Sequence, residues 1–285
     1  MRFVRFGPSG SELPGFLSGD SIIDLSHHFH DLGPDTLHLL ADLPGDLDRG
    51  HRYSLGDVRL GPPISRPNKI VGIGLNYADH AAEAGVPTPE EPVIFFKATT
   101  SFSGPYDDIH LPPAAEKVDW EVELGVVIGA TAQYLSDTNA SEAVIAGYAI
   151  VHDVSERAWQ LERSGQWVKG KSADTFSPTG PFLVTHDELA DAFPLEMKCR
   201  VNGITRQHGS TSSMIFDVPH IVWYLSQFMT LEPGDLILTG TPPGVGMATG
   251  EYLHEGDVVE LEIAGLGMQR QVCRMSSDPG RVGDG

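Results

Sequence analysis

Cysteine is scarce. The chain has 2, Cys199 and Cys273, too few for a disulfide framework and in no metal-type spacing, so both are expected as plain reduced core residues. Basic residues are few as well: 19 Lys+Arg stand against 39 Asp+Glu, a net charge of −20. A surface that acidic repels phosphate backbones and anionic lipid, which argues against nucleic acid and membranes as partners. Long apolar runs are missing, since no window approaches the roughly 18 apolar residues of a membrane span. The opening MRFVRFGPSG lacks the apolar stretch of a signal peptide, so a cytoplasmic location is expected. An anionic substrate, if there is one, must find something positive in a strongly negative molecule.

What is present favours strands. With 32 Gly and 21 Pro, turns are frequent and a helical bundle is disfavoured. The expectation is a strand-rich α+β fold. Residues 1–65 read as a small N-terminal domain, with MRFVRF and SIIDLS as short strands and DTLHLLADL as a short helix. Residues 66–275 read as the catalytic domain, and 276–285 as a frayed tail. In the main domain KIVGIG, PVIFFK, DWEVELGVVIG, GYAIVHDV, LEMKCRVNG, GDLILTG and GDVVELEIAGLG are strand candidates, and DVPHIVWYLSQFM is an amphipathic helix.

One of these strands is chemically odd. In DWEVELGVVIG, residues 119–129, Glu121 and Glu123 fall two apart and so share one face of an apolar element. A solvated edge strand is the commoner meaning of E-x-E, but the flanking Trp120, Val122 and Leu124 leave few other polar positions. Two buried carboxylates need a positive partner. A hard divalent cation such as Mg²⁺ or Mn²⁺ suits oxygen donors, and Asp153, ending the run GYAIVHDV, is the best third ligand. The absence of a Cys set argues against structural zinc. The rival cluster HHFH (His27, His28 and His30) has no acids placed to complete a site and reads as surface. A metal would also supply the missing local positive charge.

Three further groups are candidates. In NYADHAAEAG, His80 and Glu83 are three apart on one helical face. They could be a water-activating base and its orienting acid, or a surface pair, and spacing alone leaves both open. In SERAWQLERSGQWVKGKSADTF, Arg157 and Gln160 follow Asp153 at four and seven, so a helix could aim both at the metal. Lys171, in a Gly-flanked loop, could donate to an oxyanion or be solvated. TGTPPGVG, residues 239–246, offers backbone N–H groups and the Thr241 hydroxyl to a carboxylate. It lacks the lysine and spacing of a phosphate-binding loop.

In this order the blocks GLNYADHAAEAG, FFK, DWEVELGVVIG, GYAIVHDVSERAWQ, KGKSADTFSPTGP, LILTGTPPGVG and GDVVELEIAGLG resemble the fumarylacetoacetate hydrolase superfamily over roughly Lys69 to Gly267. The resemblance implies mixed β-sheets rolled into a barrel-like fold, a homodimer or homotetramer, Mg²⁺ or Mn²⁺, and a small anionic 2-oxo acid as substrate. Carried over by position, it makes Glu121, Glu123 and Asp153 the metal ligands and His80 and Glu83 the water-activating pair. Lys171 becomes the oxyanion donor, and Arg157, Gln160, Thr241 and Tyr77 substrate contacts. His152 stands where Asn is expected, and its side chain should point away from Asp153. The reaction implied is hydrolysis of a C–C bond in a 2,4-diketo acid, with an oxaloacetate-type decarboxylase or a 2-oxo acid tautomerase as the alternative. The N-terminal segment resembles the 2,4-diketo-3-deoxy-L-rhamnonate and -fuconate hydrolases of carbohydrate catabolism, although no side chain in the sequence specifies the tail.

Overall fold

The most apolar segment is the centre of the fold. In the computed structural model, which describes residues 1–43, 47, 50–83, 85 and 87–276 without the side chains of residues 41, 42 and 80–82, the strand Val122–Ile128 is buried at every position. It pairs antiparallel with Ile145–His152 on one side and with Leu236–Leu238 on the other. A strand covered on both faces has no need of polar alternation, which is why VELGVVI reads as one continuous apolar run.

Around this centre runs an 11-stranded mixed sheet. From Leu236–Leu238 it continues through a parallel pairing to Ile70–Gly74 and ends on Val93–Lys97. In the other direction it passes through Ile145–His152 and Ser177–Thr185 to the N-terminal strands. Arg2–Phe6 pairs with Ser177–Thr185 through Arg2↔Val184 and Phe3↔Leu183, so the strands of residues 1–65 extend the main sheet. Of the expected tail, all but Ser276 lies outside the described residues.

A second sheet of five strands covers one face of the first. Its strands Glu196–Val201 and Val258–Ile263 alternate buried and less buried positions, the period-two signature of a sheet with one face inward. Met197, Cys199, Val259 and Leu261 pack in one cluster with Val122, Leu124 and Val126. Cys199 and Cys273 are buried and free, as expected. On the opposite face Val127 and Leu236 pack with Phe3, Leu25, Leu32 and Leu37.

Two expectations need correction. The barrel does not close: among the described residues the large sheet ends on Arg52–Ser54 and Val93–Lys97 with no ladder between them. The former has only three residues, none of them buried, so it has little to gain from a further neighbour. The segment DTLHLLADL forms a 3₁₀ turn, Leu37–Asp42, without a side-chain cap, in place of an α-helix. The long amphipathic helix is found at Val218–Ser226, where Asp217 caps it by accepting from the backbone N–H of His220 at 2.9 Å. No described helix is long and apolar enough to cross a membrane.

Candidate metal centre

The segment 119–129 is not one strand. Val118–Asp119 pairs with Ser155–Glu156, the chain then breaks at Trp120 and Glu121, and Val122–Ile128 begins. At the break the ladder is replaced by side-chain hydrogen bonds. Gln207 Oε1 accepts from the Val122 N–H at 3.0 Å, and the Thr241 hydroxyl donates to the Val122 carbonyl at 2.9 Å. The Asp153 N–H donates to the Glu121 carbonyl at 3.0 Å, which ties the end of the neighbouring strand to the break.

This arrangement brings the three expected acids together. Ligand-capable oxygens of Glu121, Glu123 and Asp153 all lie within 4.8 Å of one another, and the three residues are 5%, 2% and 0% exposed. Positive charge surrounds them. The Lys171 ammonium donates to Glu121 Oε2 at 2.7 Å and to Asp153 Oδ2 at 2.6 Å. The Arg157 guanidinium donates through Nη2 to Glu121 at 2.6 Å, through Nε to Asp119 at 2.7 Å and through Nη1 to Gln160 Oε1 at 2.9 Å. Lys97 donates to Asp153 Oδ1 and to the carbonyls of Phe176 at 2.8 Å and Val154 at 3.2 Å.

Charge still does not balance. Among the described residues, four buried carboxylates, Asp119, Glu121, Glu123 and Asp153, face three buried cations, Lys97, Arg157 and Lys171, an excess of one negative charge. The imbalance concentrates on Glu123. Burial raises its pKa well above the usual carboxylate range and Asp153 and Glu121 push it further, while Lys171 and the Gly240 N–H, 2.6 Å away, oppose. Burial works against the charge of Lys171, but Asp153 and Glu121 more than restore it, so its pKa is raised. Burial lowers that of Lys97; its three acceptors nonetheless need three protons, and the geometry holds it as an ammonium. Three crowded oxygen donors with one charge uncompensated and no sulfur fit a hard divalent cation. The Lys171 ammonium, touching two of the acids, marks where positive charge is wanted.

The other candidate residues distribute unevenly. Arg157, Gln160 and Lys171 line a cavity of about 190 Å³ together with Glu121, Glu123 and Thr241; Asp153 lies behind them. Lys171 is in the one-turn helix Val168–Lys171, where a loop was expected. The Thr241 hydroxyl is committed to Val122 and accepts from Gln207 Nε2 at 2.8 Å, so it has no proton left for a substrate carboxylate. The backbone amides of this loop serve the protein's own acids. Gly240 N–H donates to Glu123, Gly244 N–H to both oxygens of Glu83 at 3.1 Å, and Gly246 and Met247 N–H to Asp119 at 2.6 and 3.0 Å. Tyr77 is not in the cavity. It is fully buried, and its hydroxyl donates to Met197 Sδ at 3.1 Å in the core. His80 falls on the helix Ala78–Glu83, but its side chain lies outside the described residues. His27, His28 and His30 are exposed.

Sequence reasoning missed Lys97 and Asp119. Each had a signal of the same kind as Glu121: a charged residue at the end of an apolar strand, in VIFFK and at the head of DWEVELGVVIG.

Residues 69–274 match the model of the fumarylacetoacetate (FAA) hydrolase C-terminal family. The chain belongs to the fumarylacetoacetate hydrolase family. Relatives span it almost end to end. A Burkholderia multivorans protein named as a candidate hydrolase is 50% identical over 284 residues, covering 96% of this chain and 99% of its own. Among solved structures, 5-carboxymethyl-2-hydroxymuconate delta-isomerase from Mycobacterium smegmatis superposes with a TM-score of 0.79 at 33% identity, covering 97% of this chain and 100% of that one. Maleylpyruvate hydrolase from Sphingobium sp. SYK-6, in complex with manganese(II) and pyruvate, superposes with a TM-score of 0.80 at 29% identity over the same shares. As a fumarylacetoacetate hydrolase family member, this chain has relatives of two kinds, hydrolases and isomerases.

Proposed function

We propose that this protein is a divalent-metal-dependent hydrolase that cleaves the C–C bond of a 2,4-diketo acid of acylpyruvate type, giving pyruvate and a carboxylic acid. The observation that carries this reading is the buried set Glu121, Glu123 and Asp153, crowded within 4.8 Å beside a cavity that also holds Arg157, Gln160 and Lys171. The likeness to a maleylpyruvate hydrolase with manganese and pyruvate supports it. Sugar-derived 2,4-diketo-3-deoxy acids, L-rhamnonate or L-fuconate in type, belong to the same chemical class and differ from acylpyruvates only in the tail.

A Mg²⁺ or Mn²⁺ ion held by the three acids would supply Lewis acidity toward the 2-oxo and carboxylate oxygens of the substrate. His80 takes a proton from water as that water attacks the distal carbonyl, with Glu83 on the same helix orienting the imidazole. Collapse of the tetrahedral oxyanion then breaks the C–C bond, the electron pair leaves on the pyruvate enolate, and the enolate carbon takes the proton back from His80. Glu83 is itself anchored by the Gly244 N–H, which holds the helix against the loop 239–246. Two of the three protons of Lys171 are spent on Glu121 and Asp153, and the third is left for the developing oxyanion. Arg157 holds Gln160 by its Oε1, so the Gln160 amide hydrogens are the second donor. Removing one such donor costs about 3 kcal/mol of transition-state stabilisation.

The likeness to an isomerase favours a second reading, a 2-oxo acid tautomerase or oxaloacetate-type decarboxylase at the same site. Metal-stripped protein, assayed with and without Mg²⁺ and Mn²⁺ on acylpyruvates, a 2,4-diketo-3-deoxy sugar acid and oxaloacetate, separates them. Metal-dependent release of pyruvate and a partner acid from a diketone supports the hydrolase. Pyruvate and CO₂ from oxaloacetate alone support the decarboxylase, and turnover unaffected by metal removal overturns both. Glu123→Ala should lose Mn²⁺ binding by calorimetry together with activity. His80→Ala should keep Mn²⁺ binding and lose hydrolysis.

A further inference from the structure

The cavity has two chemically distinct sides. Its charged side is the acid set with Arg157 and Lys171. Gln160, held by Arg157, and Thr241, held by Val122, are the other polar side chains that line the cavity. The rest of the described wall consists of the side chains of Ile73, Leu75, Phe95, Leu161, Trp167 and Met247, among which the Trp167 indole N–H is the sole side-chain hydrogen-bond donor. Contacts run from one side to the other. The Lys171 ammonium lies 5.0 Å from the centroid of the Phe95 ring, and that ring lies 5.6 Å from the Trp167 ring. Trp167 in turn rests on the backbone of Gly74, where a Cβ would come within 2.4 Å of its six-membered ring. Gly74 therefore lets the indole reach the wall.

Leu75 gives this wall a second peculiarity. Its φ is +57°, a left-handed conformation that a leucine side chain rarely adopts and that glycine or asparagine accepts readily. The strain is held by the next residue. Asn76 donates to the carbonyls of Phe216 at 3.0 Å and Thr239 at 2.8 Å, accepts from the Phe216 N–H at 2.8 Å, and its own carbonyl accepts from the Ile215 N–H at 2.8 Å. A backbone so firmly fixed in a glycine conformation, yet carrying leucine into a cavity, points to a task for the side chain.

We propose that this wall is the subsite for the acyl tail of the substrate, that the tail is apolar and unsaturated or aromatic, and that Leu75 is a residue that determines this specificity. The inference rests on the 2,4-diketo acid reading above, with the 2-oxo end at the acids. A polyhydroxylated tail laid against these six side chains would leave water with only the Trp167 indole N–H to replace its hydrogen bonds, which disfavours sugar-derived acids at this site.

Calorimetry on the Mn²⁺-loaded protein tests this with 2-oxo acids that lack the second carbonyl and cannot be hydrolysed. The probes are pyruvate, 2-oxo-4-phenylbutanoate and a six-carbon 2-oxo-3-deoxy sugar acid. The phenyl compound should bind roughly ten-fold or more tighter than the sugar acid. That ratio should fall toward one in Leu75→Asn, whose new side chain tolerates the left-handed backbone, with a thermal midpoint no lower than that of the wild type. Leu75→Gly, which also relieves the backbone, should behave alike. A sugar acid bound equally or more tightly, or a ratio unchanged in folded Leu75→Asn and Leu75→Gly, overturns the tail assignment. Pyruvate separates the two levels: binding that needs Glu123 without any gain from the phenyl tail refutes only the tail. Failure of all three probes to bind, or binding unaffected by Glu123→Ala, refutes the metal-site reading and the tail with it.

Discussion

The imidazole of His152 is fully buried, with Nδ1 3.1 Å from Gln271 Oε1. An amide oxygen accepts, so Nδ1 carries the proton, and Nε2 has no partner among the described residues. Burial lowers the pKa to about 3, and Lys97 and Lys171 lower it too, while Gln271 and Glu121 oppose. In the unfolded chain the same group titrates near 6.5. Between about pH 6.5 and pH 3 the unfolded state thus binds a proton that the fold refuses, and stability falls as the pH falls through that window. In metal-free protein this single group should cost about 2 kcal/mol at pH 5. His152→Asn should therefore flatten the decline of the urea midpoint between pH 7 and pH 5; an unchanged slope would assign the decline to other groups. From the sequence, His152 was legible only as a histidine pointing away from Asp153. Its partner Gln271 is remote in the chain, and no local pattern connects the two. Glu121, Glu123 and Asp153 were legible because each charge interrupts an apolar run. Tyr77 was misplaced because an aromatic beside a candidate helix looks the same whether it faces a cavity or the core.

At the scale of elements, the site depends on two short helices in contact. Gly170 in Val168–Lys171 sits on Arg157–Leu161 so closely that a Cβ would come 2.4 Å from the Glu156 carbonyl and 2.6 Å from the Gln160 Cβ. This contact brings Lys171 to the wall that already carries Arg157 and Gln160. Gly170→Ala should push the helices apart, cost about 1–3 kcal/mol of stability, and weaken Mn²⁺ binding through the displaced Lys171. Thermal unfolding and calorimetry on the one variant read both effects; wild-type affinity would separate the packing from the site. A one-turn helix has too few residues to show a 3.6-residue period, so KGK looked like loop. The break at Trp120 and Glu121 was hidden for a related reason. Alternation continues through it, and only the pairing of Val118–Asp119 with Ser155–Glu156 reveals a second strand. Strands such as Ile145–His152 and Val258–Ile263 were legible because their apolar patterns outlast local noise.

The whole molecule carries a net charge of −20, yet its buried centre lacks only one positive charge. A divalent cation would reverse the sign of that centre and prepare it for an anion. Binding to the folded state alone should also stabilise the molecule, by about 2.7 kcal/mol at a free Mn²⁺ concentration a hundred times the Kd. The rise in unfolding temperature should vanish in Glu123→Ala; a rise that survives would mean the ion binds elsewhere. The residues around the three acids come from the end of the Val93–Lys97 edge strand, the broken segment at 119–123, the far end of Ile145–His152, the helices Arg157–Leu161 and Val168–Lys171 and the loop 239–246. Before the sheet has assembled there is nothing for an ion to find. The stabilisation should accordingly be kinetic in one direction only: Mn²⁺ should slow unfolding and leave the refolding rate unchanged. The protein would then fold at the pace of its sheet and persist at the pace of its metal.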